Sequence, residues 1–243
     1  MTDALFLLEQ LDDPLPAVGE RVRLDGDEGR HAVVVRRIGA GESILLSDGS
    51  GRGLRGVVLE VSKFALTMTI TEQLFSAQRG PRFVAVQALA KGDRSELAVE
   101  MMTEMGVHEI VPWQASRSIV RWSGERADKA LSRWRSTARE ATKQSRRLRT
   151  PTVSPAVSTR EVVQRIQAAE AAVVLHEEAT TPLAEFTLPP AGEVLVIIGP
   201  EGGIRPEELL AFTAAGAVSV VLTDGVLRTS TAGVAALAGL MLR

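Results

Sequence analysis

The chain predicts an α/β protein in two parts, a small β-rich N-terminal domain and a larger C-terminal domain built on a parallel sheet flanked by helices. Three observations predict this. From residue 20 to residue 71 the apolar residues fall in short runs separated by turn residues, the pattern of a small antiparallel barrel or sandwich. After residue 82 the period changes, and strand-like runs alternate with stretches whose apolar residues recur at three- and four-residue steps. Within that second part, residues 194–204 read VLVIIGPEGGI and lead into Pro206-Glu207-Glu208, which is strand, tight loop and helix start in succession.

Taken in order, the first part predicts strands at ERVRL (20–24), HAVVV (31–35), SILLS (43–47), GVVLEV (56–61) and FALTMTI (64–70). Turns fall at Gly26, Gly39 to Gly41, Asp48 to Gly53 and Ser62-Lys63. Gly51, Gly53 and Gly56 satisfy G-x-G-x-x-G, but that fingerprint binds a dinucleotide only when a helix follows it. Here VVLEV follows, so the glycines are read as part of a hairpin. Residues 76–82 (SAQRGPR) read as a linker, giving a domain at 1–75 and another at 83–243.

In the second part, strands are expected at 83–89, 109–113, 171–175, 194–198 and 218–222, and helices at 94–106, 126–149, 161–169, 206–216 and 231–242. Leu97, Met101, Met102 and Met105 mark the apolar side of the first helix, and Leu131, Trp134, Ala138, Ala141, Ser145 and Leu148 that of the second. Pro206 suits a first helical position, where its missing N–H would be unpaired anyway, and Glu207 and Glu208 suit the positive end of the helix dipole. The last helix, TAGVAALAGLML, is apolar nearly all round and belongs in a core or a subunit interface.

Composition narrows the chemistry. The 243 residues are 45% hydrophobic and 24% charged, with a net charge of −2 and no cysteine. Thiolate metal sites and disulfides are excluded, and three scattered histidines, His31, His108 and His176, argue against a zinc centre, so no metal is expected. The N-terminus lacks a cationic stretch ahead of its apolar run and no window approaches the roughly 18 apolar residues of a membrane span, so a cytoplasmic protein is expected. Charge is uneven, however. Between residues 133 and 149, seven cations (Arg133, Arg135, Arg139, Lys143, Arg146, Arg147, Arg149) face one acid, Glu140, a local charge of +6 suited to RNA phosphates.

The strands at 171–175, 194–198 and 218–222 end in the loops HEEAT, GPEGG and TDGVLRTSTA. If they are parallel neighbours, all three loops open on one sheet edge, where open α/β sheets bind ligands. No G-x-x-x-x-G-K-[ST] occurs, and Glu177, Glu178, Glu201 and Asp224 would repel a polyphosphate. A neutral or cationic ligand fits better, such as an adenosine carrying a sulfonium.

These residues resemble a known family. GPEGG ahead of a Pro/Glu-led helix, followed by LRTSTA at the last helix, resembles the RsmE-type small-subunit rRNA uridine N3-methyltransferases of the SPOUT class, which use S-adenosylmethionine (SAM). HAVVVRRIGAGESILLSDGSG (31–51), QALAKGDRSELAVEMMTEMGV (87–107) and EATKQSRRLRTP (140–151) resemble further segments of that family in the same order. The resemblance implies a C-terminal α/β SPOUT domain with a deep trefoil knot, a PUA/OB-like β-barrel at the N-terminus, a homodimer, and 16S rRNA of the small ribosomal subunit as substrate.

By position, the resemblance implies that Leu175, His176, Ile198, Gly199, Pro200, Gly202, Leu222, Thr223, Val226, Leu227, Thr231 and Ala232 hold SAM. Arg228 is expected to hold the uracil carbonyl oxygens, and Glu201, or a water it positions, to take the N3 proton. Lys91, Arg94, Arg117, Arg139, Lys143, Arg146 and Arg147 are expected to contact RNA. Two departures stand out: Leu222-Thr223 replaces the family's Leu-Gly, and Ser230 replaces a glutamate whose role therefore cannot be carried over. Two alternatives stay open, a SPOUT methyltransferase acting on another RNA position and a non-catalytic RNA-binding factor. Glu201 has a competing role as a structural cap, and His176 one as an ordinary strand-edge histidine.

Overall fold

A computed structural model describes residues 3–77 and 80–242. The chain separates into two compact units: residues up to 78 together with 140–150, and residues 79–139 together with 151–243. The division assigns 140–150 to the N-terminal unit, which the sequence reading had not. Two residues of the expected linker, 78 and 79, lie outside the described residues, and Arg82 already begins a strand.

In the first unit, β1 (Ala4–Leu7), β2 (Arg21–Leu24), β3 (Ser43–Ser47), β4 (Arg52–Val61) and β5 (Leu66–Phe75) form a sheet in the order β1-β3-β4-β5-β2. Pairing is antiparallel except for β1, which runs parallel to β3 and which the sequence reading missed. Phe6, Leu24, Ile44, Leu46, Leu54, Leu66, Met68 and Ile70 fill its core.

One expected strand is helical. HAVVV forms a π-helical turn, His31–Val35, continuing α1 (Gly26–Arg30). Valines favour strands, but here tertiary packing decides. Gly29 sits where a Cβ would lie 2.7 Å from the carbonyl oxygens of Leu24 and Phe64, Ala32 is fully buried, and Val34 and Val35 face solvent. The inward positions are therefore spaced by three, as a helix requires.

The G-x-G-x-x-G glycines serve close packing. A Cβ at Gly51 would lie 2.5 Å from Arg149 Nη2, and one at Gly53 would lie 2.6 Å from Leu148 Cδ2. The segment that follows the long helix passes through this space. Gly51 N–H and the Ser47 hydroxyl both donate to Leu148 O, each at 2.9 Å.

The second unit is a parallel sheet with the order β11-β9-β10-β6-β7-β8. The strands are β6 (Arg82–Ala88), β7 (Glu109–Trp113), β8 (Thr152–Val153), β9 (Ala171–Leu175), β10 (Glu193–Ile198) and β11 (Val218–Val220). The helices are α2 (Arg94–Met105), α3 (Glu125–Ser145), α4 (Thr159–Ala168), α5 (Pro206–Ala214) and α6 (Thr229–Met241). Alternate residues of the strands enter two cores, with Phe83, Ala85, Val194 and Val196 in one and Val84, Val86, Leu195 and Ile197 in the other. A sheet covered on both faces accounts for the uninterrupted apolar runs in the sequence.

Helix α2 only partly turns the expected side inward: Met102 is buried and Met105 packs against the core, but Leu97 is exposed, and Ser95, Ala98, Val99 and Thr103 are buried instead. Thr103 satisfies its hydroxyl on Val99 O at 2.7 Å, and Ser95 exchanges bonds with Ala90, so polar residues are accommodated on the inner face. Helix α6 lies in the core, as its composition predicts, and a Cβ at Gly233 would come within 2.7 Å of Met102 Sδ. Helix α3 ends at Ser145, and Arg146 closes it with a positive φ of 57°.

Candidate cofactor site

Strands β9, β10 and β11 are parallel neighbours, with β9 between the other two, so the loops at their carboxyl ends share one edge. A cavity of about 370 Å³ opens there. Of the residues expected to hold a cofactor, Leu175, His176, Ile198, Gly199, Pro200, Leu222, Thr223, Val226, Leu227 and Ala232 line it, as do Glu201, Arg228 and Arg94. Gly202 and Thr231 are not among the lining residues. Gly202 is pressed against Arg117, whose guanidinium donates to Gly202 O at 3.1 Å, and the Thr231 hydroxyl donates to Arg228 O at 3.1 Å.

The GPEGG loop is held from three sides. Thr229 Oγ1 donates to Gly199 O at 2.8 Å and accepts from Gln87 Nε2 at 3.0 Å, joining the ends of β6 and β10 to the first turn of α6. Glu201 Oε1 accepts the Lys91 backbone N–H at 3.1 Å and lies 3.6 Å from Arg94 Nη1. Gly203 takes a φ of +73°, the left-handed region open to glycine, and its N–H returns to Pro200 O.

Behind the loop, Glu208 in the first turn of α5 is 5% exposed. Its carboxylate accepts from Ser116 N and Oγ at 2.9 Å each, from Thr159 Oγ1 at 2.8 Å and from Arg205 N at 3.2 Å. Burial alone would raise its pKa, but the bonds from Ser116, Thr159 and Arg205 together hold it below the ordinary value. One carboxylate thus fixes α5 against the loop after β7 and the start of α4. The sequence reading placed Glu208 at the helix dipole and missed this anchoring role.

His176 behaves as a strand-edge residue, its N–H donating to Val220 O and its Nδ1 accepting from Glu178 N at 3.2 Å. Arg228 occupies the cap position of α6, exposed at the cavity, and its guanidinium has no partner among the described residues. Ser230 is buried in the first turn. The sequence reading set Glu177 and Gly203 in these loops without naming them as cofactor contacts, and it missed Ile204, Val220, Val221, Gly225 and Thr229 as lining residues. Their positions in the same three loops were the available signal.

The lining chemistry is apolar walls, backbone groups and acids. Leu175, Ile198, Ile204, Leu222, Leu227 and Ala232 supply the walls, and Glu177 and Glu201 the negative charge. Such a set fits an adenosine with a cationic substituent better than it fits a phosphate chain. Among the described residues no cluster of His, Asp and Glu is arranged to hold a metal ion, and no helix is long and apolar enough to cross a membrane.

The expected cationic face is less free than its count implied. In the first unit, Lys143 is 10% exposed and pairs with Glu28 at 3.0 Å and Glu140 at 3.3 Å. Arg139, Arg146 and Arg147 each have an intramolecular partner, and burial pulls the Arg147 guanidinium pKa down. In the second unit, Arg133 reaches Glu96 at 3.4 Å. The carboxylates come from elsewhere in the chain, which a local charge count does not register. Lys91, Arg94 and Arg117 are exposed.

The family model described as RNA methyltransferase domain matches residues 78–241, and that described as RNA methyltransferase PUA domain matches residues 24–67. The ribosomal RNA small subunit methyltransferase E of Mycobacterium tuberculosis is 46% identical over 229 residues, covering 93% of this chain and 87% of the relative. That of Bacillus subtilis is 31% identical, covering 89% and 88%. The solved structure of the Neisseria gonorrhoeae ribosomal RNA small subunit methyltransferase E, bound to S-adenosyl methionine, superposes with a TM-score of 0.86 at 27% identity, covering 99% of this chain and 98% of that one.

Proposed function

The chain belongs to the ribosomal RNA small subunit methyltransferase E family of RNA methyltransferases, and we propose on that premise that it methylates N3 of a uridine in 16S rRNA with SAM as donor. The observation that carries the reading is the cavity itself: three strand-end loops converge with the start of α6 on an apolar, acid-lined space that offers a phosphate no cradle. SAM would supply an electrophilic methyl on a sulfonium. Backbone groups of residues 198–203 and 222–227 would hold its adenosine part, and Glu177 and Glu201 would face its positive charge.

The remaining task falls to the chain's own residues. Uracil N3–H is a weak acid, so its proton must leave, or the resulting anion must be stabilised, while N3 is held in line. Proximity alone supplies on the order of 7–11 kcal/mol in well-oriented systems. Arg228, at the mouth with no partner for its guanidinium among the described residues, would hold the uracil carbonyl oxygens and the charge that develops on them. Glu201 has one oxygen engaged with Lys91 and Arg94, which leaves Oε2 to take the proton directly or through a water. Lys91, Arg94 and Arg117 beside this cavity, and Arg139, Lys143, Arg146 and Arg147 of the 133–149 segment, are the RNA contacts of this reading. Lys143 is the weakest of them because its ammonium is only 10% exposed, held between Glu28 and Glu140. A knotted C-terminal segment, a homodimer and a cytoplasmic site of action complete the proposal and rest on family resemblance.

The test is nucleoside mass spectrometry of small-subunit rRNA from a strain lacking the protein and from the same strain complemented. Loss and return of N3-methyluridine is the expected result. Loss of a different methylated nucleoside would overturn the target base, and no change at all would favour a non-catalytic RNA-binding factor.

A further inference from the structure

A second cavity, of about 320 Å³, lies in the C-terminal unit between the start of α2, the start of α3 and the loop 114–124. Trp122 and Trp134 meet in it edge to face, their ring centroids 5.1 Å apart at 78°. Trp134 is buried at 1% exposure and serves as packing. Trp122 is only half-buried, and its indole N–H has no partner among the described residues. Its backbone is fixed, since Trp122 N–H donates to Gln114 Oε1 at 3.0 Å. Arg126, Lys129 and Arg133 follow one another at helical steps along the face of α3 that lines this space. Arg133 is engaged with Glu96, whereas the exposed Arg126 and Lys129 have no partner among the described residues.

Asp93 and Glu96 also line the cavity, so it is not a simple anion hole. With Glu96 paired to Arg133, one acid, Asp93, and two cations, Arg126 and Lys129, keep side chains without a partner among the described residues. The combination of an accessible indole, a volume sufficient for a nucleobase and two uncommitted cations is the chemistry of single-stranded nucleic acid recognition, with the ring taking a base and the cations its phosphates. The position is informative too. Ala90, Gly92, Asp93 and Ser95 line this second cavity, while Arg94, between them, lines the first, and Glu201 of the GPEGG loop holds Lys91 of the same turn.

We propose that this cavity receives an unpaired nucleotide of the RNA substrate, its base against Trp122 and its phosphate on Arg126 and Lys129. The inference rests on the RNA methyltransferase reading but assigns a contact which that reading lacks. The turn 90–96 would then join the RNA contact to the cofactor cavity.

Tryptophan fluorescence reads the contact without turnover. Trp113 and Trp134 are buried at 0% and 1% exposure, so quenching on addition of oligouridine reports Trp122. The expected result is quenching in the native protein that vanishes in Trp122→Phe while the RNA still binds. Arg126→Ala combined with Lys129→Ala, two surface changes that leave the Trp pair intact, should weaken binding on the order of ten-fold at low salt and reduce the slope of log affinity against log salt by about one. SAM affinity by calorimetry should stay as in the native protein in every variant. Unaltered RNA binding in the double variant, or quenching that survives Trp122→Phe, overturns the proposal. So does an effect on assembled subunits with none on protein-free rRNA, which would mark a protein contact. If RNA binds and quenches but no N3-methyluridine forms, this contact stands and the target reading falls.

Discussion

Gln87 Nε2 donates to Thr229 Oγ1 at 3.0 Å, and the same hydroxyl donates onward to Gly199 O at 2.8 Å, a directed relay from the end of β6 through α6 to the GPEGG loop. Both side chains are buried, and Gln87 Oε1 has no partner among the described residues. Thr229→Val keeps the shape and removes the relay, leaving Gly199 O without this donor and Gln87 Nε2 with only its 3.1 Å bond to Ala88 O. Stability should fall by about 1–3 kcal/mol, and SAM affinity on the order of ten-fold as Gly199 loses its fixed orientation. Thr229→Ser should restore both. Urea unfolding and calorimetry on the two variants check this, and a Val variant matching the native protein in both would show the relay to be incidental.

Glu208 and Glu109 give the C-terminal unit an acid limit. Both are 5% exposed, and both have pKa values held below the ordinary 4.5. For Glu109 burial pushes upward, and bonds from Ser154, Arg82 and Arg165 more than offset it. A depressed folded-state pKa means stability that is fully present above the unfolded value and lost as pH falls through the folded one. Urea midpoints should therefore be flat from pH 7 to about pH 5 and decline below about 4.5. Glu208→Gln should be less stable than the native protein at pH 7 and show a shallower decline in acid.

Glu201 separates loop tie from base by the choice of substitution. Glu201→Gln retains an acceptor for Lys91 N–H, so a role limited to holding the 91–94 turn predicts SAM affinity and turnover within a few-fold of native. Glu201→Ala removes the acceptor and should weaken SAM binding. A Gln variant that binds SAM normally but turns over on the order of 10²–10⁴ times more slowly would establish the base assignment.

Lys143 should act on stability and hardly on RNA. Its ammonium and the Glu28 carboxylate are 10% and 15% exposed, so Lys143→Ala removes one charged partner of a mostly buried carboxylate and should lower stability by about 1–3 kcal/mol. Thermal unfolding should reveal that loss, while RNA affinity and its salt slope stay near native once the protein is kept folded. A lowered salt slope would instead place Lys143 at a phosphate.

What the sequence disclosed followed the range of the interactions involved. The strand-loop-helix at 194–206 was legible because apolar run, glycines and Pro206 are neighbours in sequence, and the parallel neighbours at 171–175 and 218–220 followed from strand-helix alternation. HAVVV was misread because the contacts that bend it into a helix, Gly29 against Leu24 and Phe64, lie outside the run itself. The anchoring by Glu208 was invisible for the same reason: Ser116 and Thr159 are 92 and 49 residues away. The cationic count of residues 133–149 overstated the free charge because Glu28 answers Lys143 from 115 residues away.

Arg228 is where the functional reading is most exposed to refutation. Its backbone carbonyl accepts from Thr231 N and Ala232 N at 2.9 Å each, so the residue is fixed at the start of α6 independently of its guanidinium. The guanidinium itself faces the cavity with no internal partner among the described residues. Arg228→Ala should therefore leave the fold and SAM affinity near native, because nothing in the described structure depends on the side chain. Methylation should fall on the order of 10²–10³-fold in kcat if the side chain stabilises charge developing on the uracil oxygens, as donors to an oxyanion do. Arg228→Lys should recover only part of this, since an ammonium cannot engage two carbonyl oxygens with the planar geometry of a guanidinium. Calorimetry with SAM beside single-turnover methylation separates the roles: a large drop in SAM affinity in Arg228→Ala would make the residue part of the cofactor site, and an unchanged turnover would remove it from the chemistry.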